Sequence, residues 1–213
     1  MGIRDEQRER VVERLSGHLL ATGLAQVSLR QLATAAGVSD RMLLYYFDDK
    51  AEVLSASLQR IAGQMMVSLE RALPDGQVFP VADFVARAAG VAGQADMRGF
   101  MRLWVEVIAA AARGEMPFAE ISNQIIFGFQ AWVESRLDLP EGIDRAGVAL
   151  AIIALIDGLA LIDICVGEQP TARAVRLPAA AKPSATAAPA RTAGTASSSF
   201  FTSACGSPVL SST

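Results

Sequence analysis

Ser39, Asp40 and Arg41 stand together at the predicted start of a short helix, and their side chains carry hydrogen-bonding groups that can read base pairs. An arginine guanidinium can donate two hydrogen bonds to guanine O6 and N7, and an aspartate can accept one from cytosine N4. The N-terminal end of a recognition helix usually meets base edges. We therefore predict base contacts by these residues, with stabilisation of the helix N-terminus as the alternative role of Asp40.

A second group of residues is suited to the phosphate backbone of DNA. Ser28 and Arg30 begin the preceding helix, and Tyr45 should turn its hydroxyl outward. Lys50 begins the following helix, where free backbone N–H groups and a lysine together favour a phosphate. A solvated lysine is the alternative there. Tyr46 stands in an apolar register, so packing is as plausible for it as a DNA contact.

These residues lie in a segment with the spacing of a helix-turn-helix. Gly37 can adopt positive φ and reverse the chain, and Ala33 leaves room where the two helices cross. The predicted N-caps are Ser28, Ser39 and Asp49. The apolar residues expected to close the hairpin are Leu29, Leu32, Ala33, Ala36, Val38, Met42, Leu43 and Tyr46. An ordinary helical hairpin in an all-α core is the alternative interpretation.

The rest of the pattern predicts an all-α fold. Helices are expected over residues 4–21, 29–36, 39–46, 49–73, 81–94, 96–113, 117–137 and 144–166, separated by glycine and proline breaks. The first three would form an N-terminal DNA-binding domain over residues 1–48, and the others a second helical domain over 49–168.

The last predicted helix is apolar on nearly every side. Such a helix must be buried on every side, which a dimer interface achieves readily. A membrane span is disfavoured because Asp157 and Asp163 would each cost about 2.5–3.5 kcal/mol near a bilayer centre. A buried core helix of a monomer is the remaining alternative. The predicted homodimer interface comprises Phe129, Trp132, Ile152, Ile156, Leu159 and Asp163.

Two further predictions concern the second domain. An apolar cavity for a small molecule is expected among Met65, Phe84, Met97, Phe100, Met101, Trp104, Phe127 and Trp132, with simple core packing as the alternative. Asp157 and Asp163 are expected to be structural, with a ligand role as the alternative. Arg102 and Glu106 are four residues apart and are predicted to pair on the surface.

Composition limits the other possibilities. The chain of 213 residues has a formal net charge of −3, which does not fit a non-specific nucleic-acid coating protein. The charged first twenty residues exclude a secretory signal peptide, and Cys165 and Cys205 form no disulfide framework, so a cytoplasmic, nucleoid-associated protein is expected. His18 is the only histidine. With no catalytic, cofactor or metal motif visible, we predict neither an enzyme nor a cofactor.

The composition changes abruptly near residue 169. The segment 169–213 is dominated by Ala, Ser, Thr, Pro and Gly, and from residue 171 onward it has no Asp or Glu. Such a segment buries too little apolar surface to offset its chain entropy, so disorder is predicted. It resembles GC-rich coding DNA translated out of frame, or an added low-complexity extension.

The N-terminal part resembles the TetR family of transcriptional regulators. The resemblance covers about 45 residues and rests on the run SLRQLATAAGVSDRMLLYYFDDKAEVL, which begins at Ser28 and includes the A-x-x-A-G-V-S turn and the Y-F-x-x-K ending. One position departs from the family pattern: Leu44 stands where the family usually has a tyrosine that touches DNA. Leucine can offer only an apolar contact, for example to a thymine methyl group.

The resemblance implies a homodimeric repressor that binds a palindromic double-stranded DNA operator. It also implies release when a small molecule occupies the domain over residues 49–168, which would then serve effector binding and dimerisation. The effector is unknown, and no membrane partner is expected. The alternative is a helical ligand- or protein-binding dimer that has lost specific DNA binding.

Overall fold

The computed structural model describes residues 2–24 and 27–167. Within these ranges the chain forms an all-α fold, as predicted. Its helices are α1 (Ile3–Thr22), α2 (Leu29–Ala36), α3 (Asp40–Tyr46), α4 (Lys50–Ala72), α5 (Val81–Ala92), α6 (Met97–Ala112), α7 (Phe118–Glu134) and α8 (Arg145–Val166). The predicted low-complexity tail, residues 169–213, lies outside the described residues, and its disorder stays a prediction.

Local capping chemistry sets the ends of α2, α3 and α4, as the sequence predicts. The Ser28 hydroxyl accepts the Gln31 backbone N–H at 3.2 Å, and the Gln31 side chain accepts the Ser28 backbone N–H at 2.9 Å, which completes a capping box. Ser39 and Asp49 accept backbone N–H groups at the starts of α3 and α4. Gly37 has a φ of +71° and ends α2 in the left-handed conformation.

A continuous core joins the helix-turn-helix to the helices that follow. It contains Leu15 and Leu19 of α1, Leu32 of α2, Leu43 of α3 and Leu54 of α4. The same core continues through Leu58, Ile61, Leu103, Val107, Phe118 and Ile121, which come from α4, α6 and α7. The first three helices therefore share buried surface with the second set of helices. The domain boundary between residues 48 and 49 remains a prediction.

A second core lies where the end of α4 meets α5, α7 and α8. It includes Leu73, Phe84, Leu137 and Ile152. Helix α7 ends at Glu134 rather than at the predicted residue 137. The chain turns there because the backbone N–H of Phe79 donates to Arg136 O at 2.8 Å, and Asp138 N donates to Phe79 O at 2.8 Å. This short bridge competes with continued helical hydrogen bonding.

Helix α8 is not buried on every side within one chain, contrary to the expectation for a monomer core helix. Its buried residues are Ala149, Ile152 and Ala160. Its exposed apolar residues include Leu150, Leu155, Leu161, Ile162, Ile164 and Val166. Among the described helices, α8 is the one whose length and composition would allow it to cross a membrane. An apolar surface of this extent usually marks an interaction site.

Candidate nucleic-acid interface and effector cavity

The recognition helix α3 has one buried side and one exposed side. Leu43 is fully buried, which fixes the helix against the core. Ser39, Asp40 and Arg41 are exposed at its N-terminal end. Their position matches the predicted base-reading group, since the start of such a helix is the part that enters the major groove. Met42 was predicted to pack in the hairpin, but it is 40% exposed and lies at the edge of the same surface.

Leu44 and Tyr45 extend this exposed surface along α3. Leu44 is 47% exposed and Tyr45 is 56% exposed. Arg4 of α1 lies against Tyr45, with its guanidinium 4.8 Å from the ring centroid and a 3.0 Å hydrogen bond to the Tyr45 carbonyl oxygen. The structure thus adds Arg4 to the surface. Sequence spacing gave no signal for it, because the contact joins residues 41 positions apart.

Tyr46 does not belong to the exposed surface. Its ring is 6% exposed and packs edge-on against Tyr45, with the ring centroids 5.3 Å apart. Its hydroxyl donates to Gln7 Oε1 of α1. The prediction that Tyr46 contacts DNA is therefore corrected. Tyr46 lies on the same buried side of α3 as Leu43, so its ring faces the core. Its hydroxyl already donates a hydrogen bond to Gln7.

The predicted phosphate contacts lie at the starts of the flanking helices. Ser28 and Arg30 are exposed at the N-terminus of α2, and Lys50 is exposed as the first residue of α4. Lys50 also lines a cleft toward α6, together with Glu106 and Arg113. Lys50 is therefore exposed at the start of α4 and also borders a mixed-charge cleft, and its phosphate contact stays a prediction.

Glu106 of α6 connects the second set of helices to the end of α1. Its Oε2 accepts the Leu24 backbone N–H at 2.6 Å, so the predicted surface pairing with Arg102 gives way to a backbone contact. The neighbouring Gly23 has a φ of +72°, and a Cβ added there would lie 2.3 Å from Glu106 Oε1. The positive φ favours glycine at this turn, and a larger residue would also have to displace the Glu106 carboxylate.

An apolar cavity of about 110 Å³ lies among α4, α5, α6, α7 and α8. Six of the eight predicted pocket residues line it: Met65, Met97, Phe100, Met101, Trp104 and Trp132. Three residues predicted for the dimer interface line it as well: Phe129, Trp132 and Ile156. Trp132 had been proposed for both roles.

Two predicted pocket residues lie elsewhere. Phe84 is fully buried behind the cavity, with its ring centroid 5.8 Å from that of Trp132. Phe127 is 63% exposed and lies outside the lining. It stands two positions before Phe129 on the same helix, which turns its side chain by about 200° to the opposite side.

The residues predicted for the dimer interface differ in how exposed they are within one chain. Ile152 is 4% exposed within one chain and packs in the second core. Leu159 and Asp163 are half-buried, and the Asp163 carboxylate lies 3.9 Å from Arg98 Nε. The exposed apolar residues on α7 and α8 are instead Phe127, Leu150, Leu155, Leu161, Ile162, Ile164 and Val166. The sequence did not single out the exposed residues of α8, because this helix is apolar on nearly every side and its pattern does not show which side faces solvent.

Asp157 of α8 brings a carboxyl group to the cavity. Its Oδ2 accepts the Trp104 indole N–H at 3.3 Å. Burial raises the pKa of Asp157, and the Trp104 hydrogen bond lowers it to a smaller extent. Withdrawal from water disfavours the charged form of a carboxyl group, whereas a donated hydrogen bond favours it.

Comparison with known proteins agrees with this arrangement. Residues 19–57 match the family model described as bacterial regulatory proteins, tetR family. This range contains the whole of α2 and α3. The HTH-type transcriptional regulator BetI of Klebsiella pneumoniae is 27% identical over 169 residues, covering 75% of this chain and 83% of that relative.

Solved structures show the same fold. A transcriptional regulator of the TetR family from Cytophaga hutchinsonii superposes with a TM-score of 0.66 at 16% identity, over 82% of this chain and 92% of that one. The multidrug binding protein EbrR, solved with imidazole, gives a TM-score of 0.63 at 21% identity, over 83% and 90%. The family match across the helix-turn-helix and the likeness to BetI support a TetR-family DNA-binding transcriptional regulator, and the solved structures show that the fold is shared.

Proposed function

We propose that the protein is a homodimeric repressor that binds a palindromic DNA operator and leaves it when a small molecule occupies the cavity. The observation that carries this proposal is that α3 has one side buried in the core and the other exposed. Leu43 anchors the helix in the core, while Ser39, Asp40 and Arg41 remain exposed at its start. A helix held in this way can enter the major groove without rearrangement.

The proposed DNA contacts fall into two classes. Ser39, Asp40 and Arg41 would read base edges, and Leu44 would supply an apolar contact. Ser28, Arg30, Tyr45 and Lys50 would bind the phosphate backbone and orient the protein on it. Arg4 joins this second class, because its guanidinium lies at the exposed end of α3 against Tyr45.

The proposed dimer forms through α7 and α8. The exposed apolar residues of these helices would be covered by the same residues of a second copy, in a four-helix bundle. Leu161→Glu should then yield monomers in sedimentation at a concentration where the unaltered protein is dimeric. Val67→Glu, on the exposed side of α4, is the matched control.

Helix α6 offers a route by which a ligand could act on DNA binding. Met101 and Trp104 of this helix line the cavity, and Glu106 holds the Leu24 backbone at the end of α1. A ligand that displaces α6 would therefore shift α1 and the helix-turn-helix packed against it. We infer a binding role rather than a catalytic one, in the cytoplasm and on the nucleoid.

Selection of bound genomic fragments tests the proposal most directly. A palindrome is expected, with half-site centres about one helical turn, or a multiple of one turn, apart. In gel shifts at ~100 mM salt, scrambled DNA should bind much more weakly than the selected operator. Equal binding to both would instead favour a helical dimer that has lost specific DNA recognition.

Two substitutions separate the recognition of bases from the binding of the phosphate backbone. Arg41→Ala should relax base preference at one position of each half-site, whereas Lys50→Ala should weaken all sequences alike. Arg71→Ala is the matched control, because this exposed arginine lies near the other end of α4, about 30 Å from Lys50. Loss of binding in the Arg71 variant would show that total charge, rather than the position of the charge, controls affinity.

A further inference from the structure

The outward side of the recognition helix carries Leu44 beside Arg41. Leu43 and Tyr46 are buried and set the side of α3 that faces the core. Because an α-helix turns by about 100° per residue, the opposite side is centred near Arg41, and Leu44 lies about 60° from it. Leu44 is also about 4.5 Å further along the helix axis, since each residue adds about 1.5 Å. These two side chains therefore leave α3 in similar directions, nearly one turn apart.

The other large exposed side chains of α3 are placed differently. The Arg4 guanidinium lies 4.8 Å from the centroid of the Tyr45 ring, so a contact within the chain holds that ring. Met42 is 40% exposed, but it lies at the edge of the outward side and away from Leu44. Leu44 is 47% exposed and belongs to neither core of the described chain. It is therefore the aliphatic side chain that α3 presents near the middle of its outward side.

The chemistry of leucine determines which base can face it in the major groove. Its side chain has no hydrogen-bond donor or acceptor. The major-groove edges of adenine, guanine and cytosine present hydrogen-bonding groups, whereas thymine adds a C5 methyl group. A polar edge pressed against leucine loses water without gaining a partner, which is unfavourable. A methyl group in the same place only buries apolar surface, so this position favours thymine.

We propose that each operator half-site contains a thymine whose C5 methyl group packs against Leu44, within two base pairs of the base that Arg41 reads. This inference rests on the proposed function, in which α3 enters the major groove. The axial separation of about 4.5 Å between the two residues compares with about 3.4 Å between successive bases, so they meet neighbouring positions. Leu44 is then a specificity-determining residue that recognises a methyl group.

Replacement of single thymines in the selected operator by deoxyuridine tests the proposal. Uracil pairs with adenine as thymine does and lacks only the methyl group. At one thymine of each half-site, the replacement should weaken binding about fourfold, which is the effect of one buried methyl group. The same replacement in both half-sites should weaken binding by about tenfold or more. Deoxyuridine outside the half-sites is the control, and fluorescence anisotropy with the full chain at ~100 mM salt measures each affinity.

Variants of the protein assign the effect to Leu44. Leu44→Ala should bind the thymine and deoxyuridine operators equally, and alanine suits an exposed helical position, so the variant should fold. Leu44→Met keeps an apolar side chain of similar reach and should retain the preference for thymine. Met42→Ala is the matched control, because it removes an apolar side chain of similar exposure from another edge of the same helix. It should leave the preference unchanged.

Several outcomes would overturn the proposal. One is that no thymine within two base pairs of the Arg41 position shows the deoxyuridine effect. Another is that the effect survives in Leu44→Ala, or that Met42→Ala abolishes it instead. In each of these cases specific binding of the operator leaves the proposed function standing, and only the thymine contact fails. If no specific operator can be selected, both fail.

Discussion

Gly37 links the helix-turn-helix to α1 in a way that can be measured. Its φ is +71°, and a Cβ added there would lie 2.7 Å from Arg14 Nη1. That nitrogen donates to the Ala36 carbonyl oxygen at 2.9 Å, next to the turn. Gly37→Ala should therefore both strain the backbone and push the Arg14 guanidinium away from its acceptor.

The expected cost follows from these two effects. An alanine in the left-handed region costs about 1–2 kcal/mol. The hydrogen bond from Arg14 is only partly buried, so its loss should add about 0.5–1 kcal/mol. Alanine also restricts the conformations of the unfolded chain, which offsets about 0.4–1 kcal/mol of this cost. The free energy of unfolding should fall by about 0.5–2.5 kcal/mol in total.

Gly76→Ala is the matched control. Gly76 has nearly the same φ, +73°, but nothing lies within 4 Å of an added Cβ. Backbone strain and unfolded-state restriction are therefore shared between the two variants and cancel in the comparison. The excess cost of Gly37→Ala should equal the contribution of Arg14, about 0.5–1 kcal/mol.

Urea unfolding followed by circular dichroism measures both variants. Placing Gly37→Ala in an Arg14→Ala background should reduce its cost to that of Gly76→Ala, because the displaced hydrogen bond is already gone. If Gly37→Ala costs the same in both backgrounds, the guanidinium does not contribute, and the reasoning from the 2.7 Å approach is refuted.

Three further outcomes are expected. Tyr46→Phe removes the hydroxyl that donates to Gln7 and should lower the free energy of unfolding by about 0.5–1.5 kcal/mol. The base preference at the operator should not change. A changed preference would show that Tyr46 contacts DNA. Burial raises the pKa of Asp157, so the folded chain holds this proton more tightly than the unfolded chain, and stability falls as pH rises from the ordinary carboxyl range to the raised value. Asp157→Asn should therefore stabilise the protein at neutral pH, in thermal unfolding, with a gain that disappears at acidic pH; a gain independent of pH would contradict this. Glu106→Ala removes the acceptor of the Leu24 N–H. It should weaken the effect of a bound ligand on operator affinity, and it should change the affinity for the ligand, measured by calorimetry, to a smaller extent. Equal changes in both quantities would exclude coupling through this contact.

The sequence predicted the helix-turn-helix closely because its determinants are local. A cap such as Ser28 depends on residues three positions away, and Gly37 reverses the chain through its own φ. The ends of α2 matched the prediction, α3 began one residue later than predicted, and α4 was one residue shorter at each end. The end of α7 was harder, because a bridge to Phe79, far away in the chain, interrupts it.

The sequence by itself determined the fold class, the recognition helix and the residues exposed at its start. Only the tertiary structure decided that Tyr46 faces Gln7, that Phe127 points away from the cavity, and that Asp157 meets Trp104. Each of these depends on how one helix is rotated against another, over separations such as the 53 residues between Trp104 and Asp157. Helix α8 has apolar residues on all sides, so no pattern in its sequence sets that rotation; packing against its neighbours does.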